Sequence, residues 1–257
     1  MLELKNIDVF FNKGTVDEVQ LFDNFNFSVE KGEFVSVVGS NGSGKTTMLN
    51  LICGTLRADG GEIIFKDRDI TKLSEHKRAK YIGRVFQDPK MGTCSNLTVL
   101  ENFALADNKN KRYSLTGAIS KKRIGYYREL LAQCNMGLEE RMNVPVGALS
   151  GGQRQAIALV IAGMTDVDLL ILDEHTAALD PKAADRVMEL TKQLITENSL
   201  TAIMVTHNLR YAVEYGSRLV MMDKGHIVLD KSGEEKAATS TDDILHIFNR
   251  ISIECGN

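Results

Sequence analysis

The run Gly39-Ser40-Asn41-Gly42-Ser43-Gly44-Lys45-Thr46 stands between the largely apolar segment Glu33 to Val38 and the segment Thr47-Met48-Leu49-Asn50-Leu51-Ile52. This order reads as strand, glycine-rich loop and helix. Glycines let backbone N–H groups close round phosphate oxygens, and a helix that starts at the loop adds its free N–H groups and positive dipole end. Lys45 can reach β- and γ-phosphates as a point charge, and the Thr46 hydroxyl is a hard oxygen donor suited to Mg²⁺. The spacing predicts a nucleoside triphosphate ligand. Kinases, GTPases, helicases and transport ATPases all share such a loop, so it narrows the ligand and leaves the function open.

Four later segments carry further candidates. Val167-Asp168-Leu169-Leu170-Ile171-Leu172 is an apolar run that ends in Asp173-Glu174, the pattern of a buried parallel strand delivering carboxylates at its C-terminal edge. Thr201 to Thr206 repeats that pattern and ends at His207. Leu149-Ser150-Gly151-Gly152-Gln153 precedes a helical stretch, Arg154 to Ala162, and reads as a second anion-binding helix N-terminus. Asp180-Pro181 reads as an N-cap followed by proline at the first helical position.

The elements around these residues alternate. Leu2 to Phe11 and Leu21 to Val29 read as strands closed by the turn Glu30-Lys31-Gly32, and Glu62-Ile63-Ile64-Phe65 follows Gly60-Gly61 as another. From Thr98 to Cys134 the period becomes helical, with Val99, Asn102, Phe103 and Ala106 on one stripe and Ile124, Tyr127, Leu131 and Cys134 on the next. Between them lies a basic stretch, Asn108 to Arg112 and Lys121-Lys122-Arg123, expected to be a solvated connection, with a lipid or partner contact as the alternative. Leu219 to Met222 and His226 to Leu229 form a hairpin, and Gly233 to Asn257 a short helical tail.

Bulk properties limit the function classes. A chain of 257 residues suits one large α/β domain carrying an insertion. The net charge of −3 has no polybasic signature, which disfavours direct nucleic-acid binding. Cys53, Cys94, Cys134 and Cys255 are dispersed without a C-x-x-C pair and suit reduced thiols, with Cys94 expected to pack rather than react. The N-terminus has no signal-peptide layout and no apolar run nears the roughly 18 residues of a membrane span, so a membrane role is expected to come through a partner.

Together these segments resemble the nucleotide-binding subunit of an ATP-binding-cassette (ABC) transporter over essentially the whole chain. The resemblance implies an α/β fold with a P-loop NTPase (RecA-like) core, an N-terminal antiparallel β subdomain and an inserted α-helical subdomain. Residues 1–88 and 150–232 would form the β subdomain and core, 89–149 the insertion and 233–257 a tail. It makes Leu149 to Gln153 the signature motif, Leu169 to Asp173 the Walker B strand, Glu174 the catalytic glutamate, Gln87 the Q-loop glutamine, Ala178-Leu179-Asp180 the D-loop, His207 the switch histidine and Phe11 the aromatic on adenine.

The implied site has Glu174, His207, Gln87 and Lys45 in catalysis, and Thr46, Gln87 and Asp173 on Mg²⁺. ATP would lie against Phe11, Gly39, Ser40, Asn41, Gly42, Ser43, Gly44, Lys45, Thr46 and Thr47, and against Ser150, Gly151, Gly152, Gln153 and Asp180 of a second subunit. Chemistry agrees: Asp173 would be costly if buried and unpaired, so a cation is its natural partner, Glu174 can orient and deprotonate water, His207 can hydrogen-bond the γ-phosphate, and Gln87 both donates and accepts. Structural alternatives stay open. Asp173 or Glu174 could cap Thr176 or a neighbouring helix, His207 could be a satisfied strand-end histidine, Gln87 could brace its loop and Phe11 could enter the core.

The resemblance further implies a peripheral ATPase on the cytoplasmic face of the membrane, paired head-to-tail with a second ATPase subunit, expected to be a copy of this chain, and docked on transmembrane permease subunits. Glu75-His76-Lys77-Arg78-Ala79 and Asp173 to Asp180 resemble an importer subgroup served by an extracytoplasmic substrate-binding protein and linked to amino-acid-like cargo. The chain departs from the common pattern at Arg154-Gln155-Ala156 and at His175, where proline is frequent; His175 is expected to be a spacer. A soluble ABC ATPase of DNA repair or translation would need long coiled coils or a tandem cassette, an exporter subunit would share the motifs, and a P-loop kinase would not need Leu149 to Gln153.

Overall fold

The computed structural model describes residues 1–109, 118–165 and 167–254, side chains included up to residue 250. Asn110 to Arg112 of the basic stretch and Cys255 lie outside them. Two compact units share the chain, Met1–Ala79 with Thr201–Asn257 and Lys80–Leu200. In chain order the first unit holds β1 (Leu2–Phe11), β2 (Val19–Val29), β3 (Phe34–Gly39), α1 (Lys45–Cys53), β4 (Gly60–Phe65), β5 (Arg68–Asp69) and α2 (Glu75–Arg78). The second follows with β6 (Ile82–Val85), α3 (Val99–Asp107), α4 (Ile124–Ala132), α5 (Gly151–Met164), β7 (Leu169–Asp173) and α6 (Pro181–Glu197). The chain then returns to the first unit with β8 (Thr201–Val205), α7 (Leu209–Glu214), β9 (Arg218–Asp223), β10 (His226–Ser232), α8 (Gly233–Ala237) and α9 (Thr241–Glu254).

Hydrophobic patterning explains both layers of the first unit. β3 and β8 are buried along their whole length, so they read as continuous apolar runs, and they pair in parallel with Phe34 opposite Ala202. β9 flanks β3 on its other side, also in parallel, and the Asp223-to-His226 turn brings β10 back antiparallel. β1, β2 and β4 alternate buried and open positions and form an antiparallel sheet in the order β2-β1-β4-β5. The C-terminal segment is more than a tail: Ile244 of α9 is fully buried in a cluster with Val38, Ala212, Leu219 and Met221.

Arg78 ties α1 to its surroundings. The residue is 2% exposed, and its guanidinium donates to the carbonyls of Leu51 (2.6 Å) and Ile52 (3.0 Å) at the end of α1, and to those of Thr71 (2.9 Å) and Leu73 (3.0 Å). Terminal helix carbonyls lack intrahelical donors, and a buried one without a donor costs about 1–3 kcal/mol. Gly54, left-handed at φ 83, makes room; a Cβ there would meet Arg78 Nε at 2.8 Å. Arg78→Ala is therefore expected to lower unfolding free energy by about 3 kcal/mol, read from the urea midpoint.

In the second unit β6 and β7 pair in parallel, with Val85 opposite Leu172. α3 begins at a capping box in which Thr98 accepts from the Glu101 N–H and the Glu101 carboxylate accepts from the Thr98 N–H. Asp107 at its other end takes a two-point contact from Arg123 (2.8 and 3.0 Å) and a hydrogen bond from Tyr127 (2.8 Å). One cation of the basic stretch is thus committed to an internal ion pair. Gly152 lets α5 approach α6: a Cβ there would stand 2.9 Å from Ala183 Cβ.

Candidate functional site

Gly44 precedes α1 with φ 102, a left-handed geometry that strains any residue with a side chain, and a Cβ there would meet the Phe22 ring at 2.8 Å. No side chain caps α1, so its first-turn N–H groups are left for an anion. Lys45 folds back over the loop, its ammonium donating to the Gly39 and Ser40 carbonyls at 2.8 Å each and to Ser43 Oγ at 3.4 Å, with 5% of the residue exposed. The hairpin after β9 braces the loop: Ser40 Oγ donates to Asp223 Oδ1 (3.0 Å) and Gly225 N–H to the Ser43 carbonyl (3.0 Å). Asn41, Gly42 and Thr46 are exposed, Thr47 half-buried.

His207 belongs to the same edge. β8 lies beside β3, the Thr206 N–H donates to the Val37 carbonyl at 3.1 Å, and the exposed His207 follows directly. Ligands collect at the C-terminal ends of parallel strands, where the loop and His207 both emerge. Phe11 closes β1 with 39% of its surface exposed, which answers the core alternative. Its neighbour Phe10 instead lies under the Lys13 ammonium, 4.8 Å from the ring centre.

The second unit repeats this strand-end logic. Gln87, exposed, follows β6, and Asp173 ends the adjacent β7 with Glu174 directly after. Strand alternation predicts that Glu174 points away from Asp173; in the structure the strand has already ended. Glu174 takes a left-handed backbone at φ 47, and its carbonyl accepts from the Ala177 N–H at 3.0 Å in a tight turn. Such a conformation costs a non-glycine residue about 1–3 kcal/mol and collects at functional positions.

Ser150 and Asp180 are both N-caps. Ser150 Oγ accepts from the Gln153 N–H (3.3 Å), while Gln153 Oε1 accepts from the Ser150 N–H (3.2 Å) and its Nε2 donates to the Met136 carbonyl (3.2 Å). The Ser150 hydroxyl keeps its own proton to donate, whereas the Gln153 amide is engaged at both ends. Asp180 accepts from the Ala183 N–H at 3.1 Å ahead of Pro181. Ser150, Gly152, Gln153 and Asp180 line one open concavity, and Arg141, Lys182 and Arg186 line it too. Three cations, the Asp180 carboxylate and two side-chain-capped helix N-termini thus share one surface.

The sequence profile of the family described as ABC transporter matches residues 22–177. The chain belongs to the ABC transporter family. A tyrosine transport ATP-binding protein of Clostridioides difficile is 42% identical over 248 residues, 96% of this chain and 98% of that protein. A dimeric structure of the ATP-binding cassette MJ0796 in a post-hydrolysis state bound to ADP and Pi is 30% identical, with a TM-score of 0.76 over 90% of this chain and 98% of that one. The ADP conformation of the cassette MJ1267 is 26% identical, with a TM-score of 0.80 over 100% and 99%. The chain is an ABC ATPase, the cassette of a transporter, on a P-loop NTPase fold with a β subdomain. Among its described residues no helix is long and apolar enough to cross a membrane.

Several residues of this cassette do more than the sequence suggests. Gln155, fully buried one turn into α5, donates from Nε2 to the Phe86 carbonyl (3.1 Å) and fastens the segment that leads to Gln87. Cys94, expected to pack, is exposed; Asn102, buried beneath it, organises that loop through the Cys94 N–H (2.7 Å) and the carbonyls of Cys94, Leu97 and Thr98.

His175, expected to be a spacer, is buried. Thr191 Oγ1 already donates to the Val187 carbonyl (2.7 Å), so it accepts from His175 Nε2–H at 3.0 Å, which fixes the tautomer. Burial pushes the imidazole pKa down from 6.5 to about 4. The unfolded chain then takes up this proton first, and the stabilisation is complete above 6.5 and lost as pH falls towards 4. Between pH 7 and 5 this one group removes about 2 kcal/mol of folding stability, a decrement that His175→Gln abolishes in urea titrations at the two pH values.

Proposed function

We propose that this cassette drives import of a small, amino-acid-like molecule by ATP-dependent closure of a head-to-tail dimer docked on permease subunits at the cytoplasmic face of the membrane. The observation that carries the ATP chemistry is the Lys45-threaded loop on an uncapped helix, beside exposed Thr46. The cargo reading is supported by the 42% identical tyrosine transport relative, and pairing by the dimeric state of the 30% identical cassette. The importer-like stretches at Glu75 and Asp173 support inward transport, and with it an extracytoplasmic substrate-binding protein as a further partner.

In the proposed cycle Phe11 stacks on adenine and residues 39–47 hold the phosphates through backbone N–H groups and Lys45. Ser150 Oγ–H and the α5 N-terminus of the opposing subunit close over the γ-phosphate, with Asp180 at the same surface. Glu174 orients water and accepts its proton as oxygen attacks the γ-phosphorus; the bond to the β-phosphate oxygen breaks, giving ADP and phosphate. His207 donates to the γ-phosphate oxygens as charge develops, and Gln87 senses them from its loop. The donor set of Thr46 hydroxyl, Asp173 carboxylate and Gln87 amide is all hard oxygen with a single carboxylate, which fits Mg²⁺ bound largely through phosphates and water. When bound, Mg²⁺ neutralises charge on the β- and γ-phosphates. Loss of the γ-phosphate removes the bridge and the pair opens.

The test is reconstitution with the co-purifying permease in liposomes holding ATP. ATP-dependent accumulation of radiolabelled tyrosine or a related amino acid is expected. Uptake equal with and without ATP, or ATP-driven efflux alone, overturns the import reading.

A further inference from the structure

Arg84 is a charge inside the otherwise apolar β6, Ile82-Gly83-Arg84-Val85. Its Nη2 meets Asp173 Oδ2 at 2.6 Å, with only 13% and 14% of the two side chains exposed, and its guanidinium lies 4.8 Å from the centre of the Phe86 ring. An aromatic face and a carboxylate both hold the guanidinium.

The contact is made through one oxygen. Elsewhere in this protein arginine grips aspartate with both: Arg218 reaches the two Asp230 oxygens at 2.6 Å each, and Arg123 the two of Asp107. Two-point contact is the favoured geometry where nothing else competes for the second oxygen. At Asp173 the pair leaves Oδ1 out, on the residue that ends β7 at the strand edge where ligands collect. Groups that hold a metal-binding carboxylate from behind set its orientation, and their loss weakens metal binding without removing a ligand.

We propose that Arg84 is a positioning residue that holds Asp173 by Oδ2 and presents Oδ1 to the divalent cation, so that Arg84 sets the Mg²⁺ dependence of nucleotide binding. This rests on the reading of Asp173 as the Mg²⁺ carboxylate, and the test separates the two. ATP binding to the full chain is followed by calorimetry while Mg²⁺ is titrated, for the parent protein, Arg84→Gln, Arg84→Lys, Asp173→Asn and the Arg84→Gln/Asp173→Asn pair, each checked for folding by circular dichroism.

Arg84→Gln is expected to raise the half-saturating Mg²⁺ concentration about tenfold and to leave ATP affinity in EDTA unchanged. Arg84→Lys, which keeps the charge but loses the planar stack, shifts the curve the same way by less, and decides the matter if the glutamine variant does not fold. On the Asp173→Asn background the Arg84 change has no further effect. A Mg²⁺ curve unmoved or shifted to lower concentration in a folded Arg84 variant overturns the proposal while Asp173→Asn still blunts the Mg²⁺ response. An Asp173→Asn protein with the parent's Mg²⁺ response overturns the Asp173 assignment itself, and the inference falls with it.

Discussion

Replacing Glu174 with Gln is expected to cut steady-state ATP turnover by about 10²–10⁴-fold, the usual worth of a positioned general base, while ATP still binds. The amide has nearly the shape of the carboxylate and still hydrogen-bonds water, but it cannot take the proton. The backbone conformation supports a functional role at this position, because Glu174 is held at φ 47 by the turn to Ala177 and by buried His175 just behind it. Phosphate release measured at saturating ATP reads the effect directly. Turnover within tenfold of the parent would remove Glu174 from the base role and leave it as a turn residue.

The second large effect is at Lys45. Its ammonium is already withdrawn from water, held by two carbonyls of the loop it serves. Phosphate oxygens arriving there meet a desolvated cation, where a charge-assisted hydrogen bond is worth about 1.5–3 kcal/mol. Lys45→Ala is expected to weaken ATP binding about 100-fold or more, since the loop also loses its internal clamp. Calorimetry with ATP decides it, and an affinity equal to the parent's would take the loop out of the account.

What is legible in the sequence is what is encoded locally. The phosphate loop is contiguous, and its glycines, lysine and following helix announce one another over a few residues. The strand-end carboxylates are legible for the same reason, since a buried strand must read as an unbroken apolar run. The position of Glu174 is legible but its direction is not, because strand alternation stops applying one residue earlier at Asp173. Residues that act on distant backbone are not legible. Arg78 and Gln155 bond main-chain carbonyls, which leave no trace in side-chain types. Arg84 pairs with a residue 89 positions away, and its only signal is a charge in an apolar strand. The exposure of Cys94 escapes the sequence because a small apolar side chain in a loop reads the same whether covered or open.

In the proposed cycle ATP is clasped between two copies of this cassette. The most direct measurement is sedimentation velocity of Glu174→Gln with and without ATP and Mg²⁺. A monomer without nucleotide and a stable dimer with it are expected, reversed when Ser150→Phe is added to block the opposing surface. A species that stays monomeric at every ATP concentration, although ATP is bound, would contradict it.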